Sequence, residues 1–297
     1  MFAPPPELTT TVFTEIPQRL HLTGRPSSWL FGKENATPHS FIEGPVFDAD
    51  GHLWITDIPF GRLFRISPGG DWEVALEYDG EPNGLAIHPD GRIFIADHRR
   101  GLVAFDPRSG QLDFVLPRLK REGFKGLNDL TFARNGDLYF TDQGQTGMQD
   151  ATGRVYCLRT NGQVDCLVDN VPSPNGLVLT PDEKHLLLAV TRANQIWRLP
   201  LHPDGTTSKV AIFIQLSGGL TGPDGLAMSA GGQLAIGHCG LGTVWIMSPL
   251  GEPVLRLRSC RGLQTTNLCF GGADGRSLFI TESDSGAVLT ATLPPTL

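Results

Sequence analysis

The sequence predicts an all-β protein, a six-bladed β-propeller with four strands in each blade. Three observations lead to this prediction: a segment that recurs six times, a spacing of 40 to 49 residues between copies, and turn-forming residues along the whole chain. The 297 residues include 36 glycines and 23 prolines, which alternate with short apolar runs instead of collecting in a linker. Such punctuation is typical of many short strands joined by tight turns.

Each copy of the repeat reads as a short strand, a turn such as Asp50-Gly51 or Asn135-Gly136, and a second apolar strand. Two further β-rich runs separate consecutive copies, so each unit supplies the four strands of a propeller blade. A pair of β-sandwiches, the alternative architecture, would not explain six similar copies. The copies begin at Glu43, Asn83, Asn128, Asn175, Asp224 and Thr266.

The repeats define one expected domain at residues 41–297, preceded by an N-terminal extension at residues 1–40. The last copy ends after residues 287–293, one strand short of a complete blade. Residues 9–13, with the sequence TTTVF, are predicted to supply the missing strand. Closure of the ring matters because an open ring would leave unpaired sheet edges.

Composition argues against several classes of function. The 24 basic and 31 acidic residues give a net charge of −7, whereas sequence-independent binding of nucleic acid or an anionic membrane needs a basic face. No apolar run is long enough to predict a transmembrane helix, and the first residues do not resemble a signal peptide. The five cysteines lack metal-ligand spacing, so we expect reduced thiols in a cytoplasmic protein.

The six residues that begin the repeats are expected to meet at one mouth of the central channel. In a four-stranded blade, the inner strand leads away from one face of the ring and the second strand returns to it. All six residues are polar, and each has a side-chain oxygen to offer to a ligand. Asn-Gly and Asp-Gly are also ordinary turn signals. Turn formation would explain one such residue, but it explains six in register poorly.

Two carboxylates and two amides of this set predict a cation site. Buried carboxylates must be paired or coordinate a metal, and Glu43 with Asp224 would balance the charge of one divalent cation. The amide oxygens of Asn128 and Asn175 would complete a set of ligands made only of oxygen. Such ligands favour Ca²⁺, with Mg²⁺, Mn²⁺ or Zn²⁺ as alternatives.

Further candidates follow the second strand of the second repeat. His98, Arg99 and Arg100 lie in a loop expected on the same face, where with Asn83 they would orient hydroxyl or carboxylate groups of a substrate. The alternative is a solvated loop end, which is our interpretation of the basic cluster at residues 118–125. P-loop, G-x-S-x-G and dinucleotide-binding glycine motifs are absent, and the histidines lack the spacing of a hydrolytic zinc site.

The repeats carry motifs that resemble the SMP-30/gluconolactonase/luciferin-regenerating family. The motifs are Glu43-Gly44-Pro45, Leu127-Asn128-Asp129, Pro174-Asn175-Gly176-Leu177 and Pro223-Asp224-Gly225-Leu226. Asn83-Gly84-Leu85 with Asp97-His98-Arg99-Arg100 resembles the bacterial gluconolactonase branch in particular. The resemblance implies a six-bladed propeller with a catalytic divalent metal, often calcium, in its channel. It also implies hydrolysis of lactones or organophosphates.

By this resemblance, Glu43, Asn175 and Asp224 match the metal ligands of the family, and Asn128 matches a position that contacts metal or substrate. Two departures concern the substrate. Gly126 stands where the animal branch has a substrate-binding arginine. The segment Gln143-Gly144-Gln145 replaces a Pro-Pro-Tyr-type stretch that is frequent in the bacterial branch.

Together, the motifs predict a metal-dependent hydrolase that opens a small, sugar-type lactone. Asp224 is the first candidate for the general base, with His98 and Asp129 behind it. Two alternatives stay open: hydrolysis of a phosphotriester at the same metal, and a propeller that binds metal without catalysis. The expected partner is a small lactone, with neither nucleic acid nor a membrane.

Overall fold

The computed structural model describes residues 4–31, 33, 36–272 and 275–295, and these residues form six small β-sheets arranged around a channel. The predicted fold class, an all-β six-bladed propeller, is confirmed. Each of these sheets is one blade, and the strand that begins the repeat is the innermost. Short 3₁₀ helices occur at Gln18–Leu20, Ser28–Leu30, Ile58–Phe60 and Thr191–Ala193.

The strands are numbered along the chain, beginning with β1 (Glu7–Thr9) and β2 (Thr11–Glu15) in the N-terminal segment. Blade 1 contains β3 (Ile42–Phe47), β4 (Leu53–Asp57), β5 (Arg62–Ile66) and β6 (Trp72–Glu77). Blade 2 contains β7 (Pro82–Ile87), β8 (Ile93–Asp97), β9 (Gly101–Asp106) and β10 (Gln111–Leu116). A separate hairpin, β11 (Arg118–Leu119) and β12 (Glu122–Gly123), lies within the basic cluster that was interpreted as a loop.

The remaining blades follow in the same antiparallel pattern. Blade 3 contains β13 (Leu127–Phe132), β14 (Leu138–Asp142), β15 (Gly153–Leu158) and β16 (Val164–Val171). Blade 4 contains β17 (Pro174–Leu179), β18 (His185–Val190), β19 (Gln195–Pro200) and β20 (Ala211–Gln215). Blade 5 contains β21 (Gly222–Met228), β22 (Leu234–Cys239), β23 (Thr243–Met247) and β24 (Pro253–Arg258). Blade 6 contains β25 (Thr265–Gly271), β26 (Ser277–Glu282) and β27 (Ala287–Thr292).

The N-terminal segment covers the outer edges of two blades. Strand β2 pairs antiparallel with β27 and is the fourth strand of blade 6. The paired residues are Thr11–Glu15, two residues further along the chain than the run named from the sequence. Strand β1 pairs parallel with β24 and adds a fifth strand to blade 5. The two strands separate at Thr10, which is buried and accepts a hydrogen bond from the Cys260 N–H at 3.0 Å.

The hydrophobic core lies between neighbouring blades. One cluster joins Phe94 of blade 2 to Leu130 and Phe140 of blade 3, and another joins Ile55 of blade 1 to Val288 of blade 6. Strands β4, β8 and β14 are buried along their whole length. Their burial on both faces explains why they read as continuous apolar runs in the sequence.

In four repeats, the second strand ends in an acidic residue. This residue is hydrogen-bonded to the backbone at the start of the inner strand. Each carboxylate accepts a hydrogen bond from the backbone N–H of the residue two positions before the repeat start. These bonds, of 2.8–3.2 Å, run from Phe41 to Asp57, from Glu81 to Asp97, from Gly126 to Asp142 and from Gln264 to Glu282. In these four blades, the acidic residue therefore fixes the position at which the inner strand starts.

All five cysteines are free thiols. Cys157 and Cys239 are buried, whereas Cys166 and Cys260 are exposed. Among the residues that the structure describes, no helix has the length and apolar character needed to cross a membrane.

Candidate functional site

Residues that begin the repeats line one end of the channel, because the inner strands lie side by side around it. Contacts link each inner strand to the next, and β25 of the last blade contacts β3 of the first. Buried threonines of second strands reinforce these contacts. The Thr56 hydroxyl donates to Asn83 O at 2.8 Å, and the Thr141 hydroxyl donates to Asn175 O at 3.0 Å. Five repeat-start residues are only 4–8% exposed: Glu43, Asn83, Asn128, Asn175 and Asp224.

Three carboxylates converge in this channel. Burial, together with the neighbouring charge of Asp224, raises the pKa of Glu43 well above its usual range. Burial raises the pKa of Asp129 to about 7. Burial also raises the pKa of Asp224, although Cys239 and Asn175 are hydrogen-bonded to its carboxylate. None of the three forms a salt bridge within the described part of the chain. Buried like charges without a cationic partner are unfavourable, so the cluster is suited to a bound cation.

Two amide side chains add oxygen atoms to this cluster. Asn175 Oδ1 is buried and has no hydrogen-bond partner, which is costly for a carbonyl oxygen. Asn128 Nδ2 donates to Gln143 Oε1 at 2.9 Å, and this bond leaves Asn128 Oδ1 on the side away from Gln143. Carboxylate and amide oxygens are the ligands that Ca²⁺ and Mg²⁺ prefer. The residues present therefore fit the predicted cation.

A second layer of side chains lies next to the repeat-start residues. In four blades this position is glycine, and the two exceptions are Asp129 in blade 3 and Asn267 in blade 6. Blades 3 and 6 are opposite one another in the ring, and Asn267 Nδ2 lies 3.4 Å from Asp129 Oδ2. A Cβ at Gly84 would overlap Asp129, and one at Gly225 would overlap Asn267. Sequence reasoning did not single out Asn267, although the break in the glycine pattern of the repeat was a usable signal.

Thr266 begins the last repeat, but it offers no unpaired oxygen to the channel. Its hydroxyl lies 3.2 Å from Ile42 O and 2.9 Å from the hydroxyls of Thr281 and Ser283. Ser283 also donates to Ile42 O at 2.6 Å. The expectation that all six starting residues offer oxygen to a ligand is therefore wrong at this position. The reason is that blade 6 meets blade 1 here, and the hydroxyl serves that contact.

His98 packs directly against Gly126. Gly126 has a φ of +149°, and a Cβ at this position would overlap the His98 ring. Burial lowers the pKa of His98, although the carboxylates of Glu81 and Asp97 oppose the shift. The imidazole is therefore predominantly neutral at pH 7 and able to accept a proton. Any larger side chain at position 126 would have to displace His98.

Arg99 and Arg100 are joined to Asp79 rather than to the carboxylate cluster. Arg99 Nη1 lies 2.9 Å from Asp79 Oδ1, and Arg100 Nη2 pairs with Asp79 Oδ2. Arg100 Nε also donates to Asp79 O at 2.7 Å. Both arginine side chains are more than a third exposed. Of the predicted site residues, the structure brings the carboxylates and amides together and places these two arginines in surface ion pairs.

Another acidic group, Asp48, Asp50 and His52, lies in the turn between β3 and β4, at the opposite end of that hairpin from Glu43. Asp48 Oδ1 accepts hydrogen bonds from the backbone N–H groups of Asp50 and His52 at 3.0 and 2.8 Å. Asp48 Oδ2 accepts a bond from Trp54 Nε1 at 2.9 Å. These bonds form a hydrogen-bonded turn and satisfy the carboxylate within the protein.

A cavity of about 550 Å³ lies on the turn side of blades 3 and 4. Its lining includes Asp137, Asp165 and Arg159, and the guanidinium of Arg159 lies 3.0 and 2.8 Å from the two carboxylates. None of the predicted site residues lines this cavity.

These features define a six-bladed β-propeller whose channel holds a buried, oxygen-rich acidic site. The chain belongs to the SMP-30/gluconolactonase/LRE-like family, whose model matches residues 41–284. A gluconolactonase from Zymomonas mobilis is 30% identical over 281 residues, an alignment that covers 84% of this chain and 78% of that protein. The family indicated by the sequence motifs is therefore confirmed.

Two solved structures are similar to this chain at 26% sequence identity and a TM-score of 0.75. One is a gluconolactonase from Xanthomonas campestris, and the match covers 86% of each chain. The other is described as a calcium-binding protein, regucalcin, from Agrobacterium tumefaciens, and the match covers 86% of this chain and 90% of that one.

Proposed function

We propose that this protein is a metal-dependent lactonase that opens the ring of a small, sugar-type lactone. The observation that carries the proposal is the buried cluster of Glu43, Asp224 and Asn175, in which Asn175 Oδ1 has no partner. The names of the relatives support lactone hydrolysis, since two of them are gluconolactonases. The description of the Agrobacterium protein as calcium-binding supports the cation.

Glu43, Asn128, Asn175 and Asp224 would hold one divalent cation, with Ca²⁺ as the first choice because all four ligand atoms are oxygens. The two carboxylates balance its charge, and the orphaned oxygen of Asn175 acquires a partner. When bound, such a cation polarises the lactone carbonyl and stabilises the negative charge that develops on its oxygen.

Three side chains are candidates for the general base that takes a proton from the attacking water. Asp224 is the first, although a carboxylate beside a cation has a lowered pKa and is then a weak base. His98 is the second, because its buried imidazole is neutral at pH 7. Asp129 is the third, because burial raises its pKa to about 7.

Asn83 and Asn128 would orient substrate hydroxyl groups at the mouth of the channel, where both side chains are buried. Arg99 and Arg100 would act on a polar end of the substrate only by exchanging their ion pairs with Asp79. Surface ion pairs of this kind contribute little to stability, so the exchange is energetically accessible.

The test is a parallel assay of a six-membered sugar lactone and a phosphotriester, before and after chelation and after Ca²⁺ is returned. We expect lactone hydrolysis that disappears with the chelator and recovers with the cation. Hydrolysis of the phosphotriester alone would transfer the proposal to that substrate class. A protein that binds the cation but hydrolyses neither compound would be a binding propeller, and the proposal would be wrong.

A further inference from the structure

Gln143 connects the two segments that carry the amide ligands proposed above. Asn128 Nδ2 donates to Gln143 Oε1 at 2.9 Å, and Gln143 Nε2 donates to Ser173 Oγ at 3.0 Å. Asn128 is on the inner strand of blade 3, whereas Ser173 lies in the link to blade 4, two residues before Asn175. One glutamine side chain therefore bridges the positions that present both amides.

The loop after β14 holds this glutamine in place through bonds of its own. Gln143 N donates to Gly126 O at 2.9 Å. The Thr146 hydroxyl donates to Gln143 O at 2.6 Å, and Ser173 N donates to Thr146 Oγ1 at 3.2 Å. Ser173 has a φ of +69°, a left-handed conformation that is uncommon outside glycine, and these contacts maintain it.

The direction of each bond determines which end of the Asn128 amide faces the channel. An amide side chain has a donor end and an acceptor end. If Asn128 were turned over, its Oδ1 would lie against Gln143 Oε1, and two acceptors would meet at hydrogen-bond distance. The two amides are coupled, because Gln143 could turn over only if the Ser173 hydroxyl became the donor and Asn128 turned over as well. In the structure, Gln143 Nε2 is the donor to Ser173 Oγ. The chain of bonds thus leaves Asn128 Oδ1 on the side away from Gln143.

We propose that Gln143 is a positioning residue that sets the orientation of Asn128, so that Asn128 Oδ1 is the atom offered to the cation. The inference rests on the proposed function, because it requires a cation in the channel. Groups that orient metal ligands typically change metal affinity by about 10- to 100-fold when they are removed. Gln143 acts through Asn128 and does not itself contact the cation.

The experiment is a calorimetric titration of the 297-residue chain and its variants with Ca²⁺. We expect Gln143→Leu to lower the affinity by about 10- to 100-fold, since it removes the acceptor for Asn128 Nδ2. Gln143→Glu keeps that acceptor and lets the Ser173 hydroxyl donate instead, so its affinity should be at least that of the parent. The control is Gln145→Leu, whose side chain is exposed in the same loop and whose affinity should be unchanged.

Gln143 could also affect Ca²⁺ binding simply by holding the loop together. Measuring the effect of Gln143→Leu in the Asn128→Ala variant distinguishes that role from the positioning of Asn128. If Gln143 acts through Asn128, adding Gln143→Leu to Asn128→Ala should lower the affinity no further. An equal loss in both backgrounds would overturn the proposal. Should Gln143→Leu fail to fold, Ser173→Ala removes the partner of Gln143 Nε2 and should also weaken Ca²⁺ binding.

The two proposals fail in different ways. If the parent binds Ca²⁺ but Gln143→Leu binds it equally well, the positioning role is wrong and the proposed function stands. If the parent binds no divalent cation, the proposed metal site is wrong, and the proposed role of Gln143 is wrong as well.

Discussion

Asn267 and Asp129 lie on opposite blades, and Asn267 Nδ2 is 3.4 Å from Asp129 Oδ2 across the channel. The backbone N–H of Leu130 donates to Asp129 Oδ1 at 2.8 Å, and the N–H of Leu268 donates to Asn267 Oδ1 at 2.8 Å. The two residues thus use the same local bond in blades 3 and 6, and their remaining polar atoms meet. A carboxylate held this way is buried beside Glu43 and Asp224 without a salt bridge of its own.

The first prediction concerns stability and pH in the cation-free protein. The pKa of Asp129 is about 7 in the folded state and about 3.9 when unfolded, so the folded state binds more protons between these values. The contribution of Asp129 to stability therefore increases as the pH falls from 8 to 5. Buried histidines oppose this trend below pH 6.5, since burial lowers the pKa of His238 to about 4.

Because these groups act in opposite directions, the measurement compares two proteins. The Tm of the parent and of Asp129→Asn is recorded in chelator between pH 5 and pH 8. Asp129→Asn should have the higher Tm at pH 8, and the difference should shrink as the pH falls. A difference that stays constant with pH would show that Asp129 does not titrate in this range.

Removal of the cation should lower the Tm of the parent. A ligand bound only by the folded state stabilises it by about 2.7 kcal/mol at 100 times its Kd. Differential scanning calorimetry with chelator, followed by excess Ca²⁺, measures the shift. Glu43→Gln removes one of the two balancing carboxylates, so its Tm should respond much less to Ca²⁺. Equal responses from both proteins would place the stabilising cation elsewhere.

Asp224→Asn should abolish most lactonase activity while the fold survives. The substitution keeps the shape and one ligand oxygen but removes a negative charge and a proton acceptor. Loss of a general base alone typically lowers the rate by about 10²- to 10⁴-fold. The measurement is kcat and KM with saturating Ca²⁺, beside His98→Ala. A larger fall in kcat for His98→Ala would assign the base to the histidine, and normal turnover in Asp224→Asn would exclude the carboxylate mechanism.

Gly126→Ala should displace His98, because the added Cβ overlaps the imidazole ring and φ is +149°. Backbone strain of this kind costs about 1–3 kcal/mol, so the Tm should fall. Lactone hydrolysis should change as well if His98 touches the substrate. Gly123→Ala, three residues earlier, is the matched control because its Cβ would meet no atom within 4 Å. Identical behaviour of the two variants would contradict the packing of His98 on Gly126.

Removal of residues 1–15 should destabilise the ring. The truncation deletes β1 and β2 and exposes the edges of β24 and β27, and unpaired edges promote association between chains. It also removes the contact of Phe13 with Phe279, whose ring centroids are 5.1 Å apart. Size-exclusion chromatography and thermal unfolding measure the effect, with removal of residues 1–4 as the control. An unchanged Tm would show that closure contributes little.

The sequence by itself determined the number of blades and the register of the repeat. Both depend on local patterning: the alternation of apolar runs with Asp-Gly and Asn-Gly turns is visible in any single copy, and six copies reinforce it. The same register identified Glu43, Asn175 and Asp224 as residues that begin inner strands. Their place in β3, β17 and β21 follows from strand order alone.

Only the tertiary structure decided which polar atoms are already used within the protein. The Thr266 hydroxyl is engaged with Ile42, 224 residues away in the sequence, whereas Asn175 Oδ1 has no partner. Arg99 and Arg100 form ion pairs with Asp79, and Asn128 forms a hydrogen bond with Gln143. Each of these outcomes depends on which blades are neighbours and how their side chains pack. Local sequence patterning specifies the strands, but the pairing of donors and acceptors is settled by contacts between residues far apart in the chain.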